Sequence, residues 1–216
     1  MKTFWHNCTH GLTWLLGVVF LLLWTQAAHA HIDSSGVTGF RGGFIHPWSG
    51  LDHIIAMLAV GIWGAQLGKP AIWLLPVTFP LVMAMGGFCG LIGIPVPGGE
   101  GTVEIGVAVS GVVLGAMVLA AARPPLVIAA ILVGIFGLFH GYAHGHELPA
   151  GDNMMMVGLL YSIGFVIATG TLHALGIAIG LIHHWPAGKF ALRCAGAAII
   201  VIGCWCVWSA VGEAMK

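Results

Sequence analysis

Apolar residues in this chain come in long runs. After residue 50, six stretches carry almost no charge, at 51–68, 71–93, 103–122, 125–146, 155–182 and 190–212. Each is close to the ~20 residues an α-helix needs to cross the hydrocarbon core of a bilayer. Proline or charge separates them, as at Gly68-Lys69-Pro70, 94–101, Arg123-Pro124-Pro125, 148–153 and 185–189. The pattern predicts an all-α fold, a polytopic membrane helix bundle with six transmembrane helices. No internal repeat stands out.

The first thirty residues have the pattern of a secretory leader. Lys2 gives a weak positive region, 12–24 an apolar core, and Ala28-His29-Ala30 a small-residue cleavage pattern. The expected division is a signal peptide at 1–30 and a six-span membrane domain at 31–216. A retained leader would make seven spans.

Charge then sets the orientation. With six spans, Lys69, Arg123, Lys189 and Arg193 fall on one side, and Glu100, Glu104, Glu147 and Asp152 on the other. The Lys/Arg side is expected to be cytoplasmic. Both mature termini would then be periplasmic, in the inner (cytoplasmic) membrane.

Composition excludes the main alternatives. Asp, Glu, Lys and Arg make up only 6% of the 216 residues, against about 25% in soluble domains, and the mean hydropathy is +1.01. A net charge of zero argues against a nucleic-acid partner or a polybasic lipid anchor. The 34 glycines suit helices whose backbones pack closely, and such contacts serve a monomer or a homo-oligomer equally well. Of five cysteines, Cys8 lies in the leader and no CxxC occurs. Cys204 and Cys206, two apart, point to different helical faces and are expected to pack as apolar side chains.

Against this background the ionisable residues stand out, because such groups at membrane depth are costly and mark sites or pathways. His46, Asp52 and His53 fall near the outer end of span one, Glu104 at the outer end of span three, and His140, His144 and Glu147 in the outer part of span four. Three spans thus bring imidazole and carboxylate, the donors of a borderline divalent metal, to one depth. Pro47 suits the first position of a helix, which would put His46, His53 and Met57 on one face. Asp52 would be a flanking ligand or would fix an imidazole tautomer. His140, His144 and Glu147 follow i, i+4, i+7, and Gly137, Gly141 and Gly145 form a small-residue ridge beside them. Glu104 could equally be a solvated residue at a helix start. Met154-Met155-Met156 is expected to fill gaps at a helix start. His173 lies deeper, in the inner half of span five, and Met57 and His173 are candidates for a pathway. His183 and His184 are expected at the inner interface.

Two runs resemble the signatures of the HupE/UreJ family. His46-Pro-Trp-Ser-Gly50-Leu-Asp52-His53-Ile-Ile-Ala56-Met57 is similar to HPxxGxDHxxAM, and Phe139-His140-Gly141-Tyr-Ala-His144-Gly145-His-Glu147 to FHGxxHGxE. The resemblance covers the whole mature chain. It implies a secondary permease for Ni²⁺ or Co²⁺, serving nickel enzymes such as hydrogenase or urease. It also implies that His46, Asp52, His53, His140, His144 and Glu147 are the functional positions. The expected partners are the divalent ion and the lipid bilayer, with no permanently bound cofactor and no enzymatic activity. Two other readings stay open: an intramembrane zinc-dependent hydrolase using His140, His144 and His53 or Asp52, and a non-transporting metal sensor or assembly subunit.

Overall fold

The apolar runs fold as helices whose ends fall where proline, glycine and charge interrupt them. A computed structural model describes residues 39–146 and 154–215, and every regular element among them is helical. They are α1 (Gly39–Ser49), α2 (Leu51–Leu67), α3 (Ala71–Leu91), α4 (Gly99–Ala120), α5 (Leu126–His146), α6 (Met154–Gly180), a 3₁₀ turn (Leu181–His184) and α7 (Pro186–Ala214). Helices α3 to α7 are each long and apolar enough to cross a membrane, and α1 with α2 makes a sixth candidate span that is broken. Large apolar side chains such as Trp73, Leu81, Phe88, Val127, Val201 and Trp208 point outward. Lipid solvates such a surface and water does not, so the chain is a multi-pass membrane protein. The leader, Glu147 and Asp152 lie outside the described residues.

Pro47 does not open a helix, although its residue type suggested that it would. Pro47 sits inside α1. It has no N–H to return to the Gly43 carbonyl, and α1 stops two residues later. Gly50 then adopts an extended conformation, φ −93° and ψ 119°, and the chain turns by 80° into α2.

Glycine sets how closely the helices approach. Cβ atoms on Gly137, Gly141 and Gly145 of α5 would run into the Phe79, Met83 and Gly87 carbonyls of α3. The small-residue ridge read from the sequence is therefore the α3–α5 contact. Gly43 of α1 meets the Tyr161 backbone of α6, and Gly164 of α6 meets Phe40 of α1. Gly61 of α2 and Gly176 of α6 cross in the same way. Helix α2 is central, packing on α3, α4, α6 and α7.

Side-chain caps tie one end of the bundle. Gln66 Nε2 donates to the Val118 carbonyl at 3.1 Å and Trp63 Nε1 to the Ala122 carbonyl at 2.8 Å. Those acceptors belong to the last turn of α4 and the left-handed cap that follows at Ala121 (φ 46°), where carbonyls lack intrahelical donors. Arg123 Nη2 donates to the Gln66 carbonyl at 3.4 Å. Gly180, at the end of α6, lies against Ile62 and Ala65. The connections bearing Lys69 and Arg123 and the first turn of α7 with Lys189 thus gather at one end, as the charge pattern implied. At the other end Tyr142 Oη donates to the Ile94 carbonyl at 2.7 Å, and Gly101 abuts Ala214.

Candidate metal centre

The break at Gly50 builds the site. Helix α1 lies on α6, which carries His46 at its last turn back over the start of α2. His46 and His53 do not share a helical face as their spacing of seven suggested. They belong to two helices, and the bend brings their ring centroids to 5.8 Å. Gly50 must lack a Cβ, since one there would sit 2.8 Å from both Asp52 Oδ1 and His53 Nδ1.

Asp52 fixes His53. Its Oδ1 accepts from the His53 backbone N–H at 2.9 Å and lies 2.8 Å from Nδ1 of the same ring. A carboxylate only accepts, so Nδ1 carries the proton and the lone pair of a neutral ring falls on Nε2. That Nε2 points at His144 Nε2, 2.5 Å away. The His46 ring closes the group, with its centroid 4.4 Å from that of His144. One ligand nitrogen from each of His46, His53 and His144 lies within 4.8 Å of the others. Three elements, α1, α2 and α5, therefore aim three imidazoles at one point.

His140 lies one turn below His144 on α5, fully buried, its ring centroid 4.7 Å from that of His53. Ser110 Oγ donates to the Val107 carbonyl at 2.5 Å and lies 3.0 Å from His140 Nε2. With its proton committed, Ser110 accepts from Nε2–H, which leaves the His140 lone pair on Nδ1. Nδ1 is buried and has no hydrogen-bond partner. Ser110 escaped the sequence reading; a single hydroxyl inside an apolar run of α4 was its only signal.

Tyr161 and Phe165 of α6 wall the group, with Phe165 4.6 Å from the His144 ring and Tyr161 6.2 Å from His46. A cleft of about 370 Å³ between α3, α5 and α6 reaches His144. Its walls include Met83, Phe88, Leu159 and Val166. Asp52 is half-buried, 31% exposed against 8% for His53, and His46 is half-buried too.

The other residues named from the sequence fall elsewhere. Glu104 is exposed on α4 and does not join the gathered imidazoles among the described residues. Glu147 lies outside the described residues. Met57 is fully buried one turn below His53, and His173 is buried in α6. His183 Nδ1 lies 2.9 Å from the Gly180 carbonyl and its ring lies tilted against that of His184, centroids 4.0 Å apart. Met156 is exposed rather than gap-filling.

Each buried imidazole nitrogen without a partner costs about 1–3 kcal/mol. Packing alone favours dispersing such groups. A cation that takes their lone pairs offsets the cost, and neutral imidazole with a carboxylate-oriented ring is a common ligand arrangement.

Comparison with known proteins agrees with the motifs. The family described as HupE / UreJ protein matches residues 19–206. Protein HupE of Rhizobium leguminosarum bv. viciae is 43% identical over 176 residues, which is 82% of this chain and 87% of that protein. No solved structure matches.

Proposed function

The chain belongs to the HupE/UreJ family, and from that premise we propose that it is a secondary permease moving Ni²⁺, or Co²⁺ in its place, across the inner membrane. The observation that carries this reading is the convergence of His46, His53 and His144 on one point beside Asp52. Nitrogen and oxygen donors suit a borderline divalent ion. The positive-inside rule makes the Lys/Arg end cytoplasmic, so the centre faces the periplasm and both mature termini lie there.

A hydrated ion would arrive beside the half-buried Asp52 and His46 and exchange waters for imidazole nitrogens. The carboxylate offsets part of the ion's charge and so lowers the cost of leaving water. Glu104, exposed at the same end, would raise the local cation concentration without being a ligand in the centre, and Glu147 stays a candidate ligand. The membrane potential supplies ~2.3 kcal/mol per charge per 100 mV, hence ~4.6 for a divalent ion moving inward. Nickel enzymes such as hydrogenase or urease would receive the ion.

Uptake of radioactive nickel by proteoliposomes tests the reading. Wild type accumulates nickel and His53→Ala accumulates no more than empty vesicles. Equal uptake by the two would end it. A zinc-dependent hydrolase or a non-transporting sensor would bind the ion, yet wild-type vesicles would stay empty.

A further inference from the structure

A second group of buried polar atoms lies deeper in the bundle. His173 is buried, and neither of its ring nitrogens has a hydrogen-bond partner. Thr169, four residues earlier on α6 and so on the same face, is fully buried and its hydroxyl is likewise unpartnered. The backbone carbonyl of Pro76 on α3 lies near the His173 ring without meeting hydrogen-bond geometry. That carbonyl is special for a reason written in the sequence. Its helical donor would be residue 80, which is Pro80 and has no N–H to give.

Depth along α6 separates this group from the histidine triad. Phe165 is level with His144, and His173 follows eight residues later, about 12 Å further down the helix at 1.5 Å per residue. The Phe79 ring, itself fully buried, lies between the two levels. Its centroid is 5.3 Å from His140 and 5.4 Å from His173. The Phe79 backbone is pressed on Gly137 and the His173 backbone on Gly61, so four helices, α2, α3, α5 and α6, hold the arrangement in place.

We infer that His173, Thr169 and the Pro76 carbonyl form a second, inner station for the same class of borderline divalent cation. The inference rests on the permease reading and extends it. One imidazole and two neutral oxygens match the ligand chemistry of such an ion, but no carboxylate stands among them. The inner station therefore holds the ion more weakly than the centre containing Asp52. A tight outer site followed by a weak inner one captures from dilute solution and still releases inward.

Equilibrium dialysis of the full-length protein in detergent against radioactive Ni²⁺ tests this. Wild type binds two ions per chain, the second at least about tenfold more weakly. His173→Ala keeps the tight site at unchanged affinity and loses the weak one. His53→Ala does the reverse. Thr169→Val preserves volume and weakens only the second site, by about fivefold, so it carries the test if His173→Ala fails to fold. A single site in wild type, or weak binding unaltered in both α6 variants, overturns the inner station: those polar atoms then hold buried water only. That result leaves the permease reading intact as long as His53→Ala blocks uptake. Uptake undiminished in His53→Ala overturns the permease reading whatever the stoichiometry.

Discussion

Asp52 and His53 are neighbours in the chain, and their side chains bond to each other at 2.8 Å across the first turn of α2. Adjacent side chains on a helix usually diverge by about 100°. Here the bend at Gly50 leaves room for both, and the carboxylate sets which nitrogen of His53 offers its lone pair. Asp52→Asn keeps the shape and removes the charge. We expect nickel affinity to fall by about 10–100-fold, with Tm within a few degrees of wild type. Dialysis and thermal melts in detergent check both halves.

Ser110 holds His140 by its Nε2. Ser110→Ala removes that acceptor and leaves a buried N–H unpaired, at about 1–3 kcal/mol. The expected result is a lower Tm and reduced uptake, whereas Ser110→Thr restores both. A Ser110→Ala protein with wild-type Tm and uptake would show that the contact is incidental.

The α3–α5 contact leaves no space for a methyl group on Gly141 or Gly145, because the opposing atoms are backbone carbonyls that cannot rotate away. Gly145→Ala is expected to destabilise by about 1–3 kcal/mol and to displace His144 with it, lowering nickel affinity. Gly170→Ala, whose Cβ would meet nothing within 4 Å, leaves Tm unchanged or slightly higher. Paired thermal melts decide the point.

Much of this was legible in the sequence, for identifiable reasons. A bilayer imposes a minimum apolar length, so the spans and their ends fell within a few residues of α2 to α7. The Gly137, Gly141 and Gly145 ridge was readable because only small residues let helix backbones touch. His53, His140 and His144 were readable because imidazole at that depth needs a reason. The bend was not. Pro47 fits the first turn of a helix as well as the last turn before a break, and residue type alone does not distinguish them. Ser110 and Thr169 were hidden because one hydroxyl barely interrupts an apolar run. The partnering of Phe79 with two imidazoles depends on how α3, α5 and α6 cross, which no local pattern encodes.

Orientation makes its own prediction. In a chain whose native cysteines are replaced by alanine, Glu104→Cys should react with a membrane-impermeant maleimide in intact cells. Lys69→Cys should react only after the membrane is opened. The reverse pattern would turn the centre toward the cytoplasm and invert the proposed direction of transport.

The account depends on three imidazoles from α1, α2 and α5 sharing one ion. Nickel K-edge X-ray absorption on protein loaded with one equivalent reads this directly. The prediction is a first shell of nitrogen and oxygen only, with imidazole scattering that drops in each of His46→Ala, His53→Ala and His144→Ala. A sulfur shell, or imidazole scattering indifferent to all three substitutions, would contradict it.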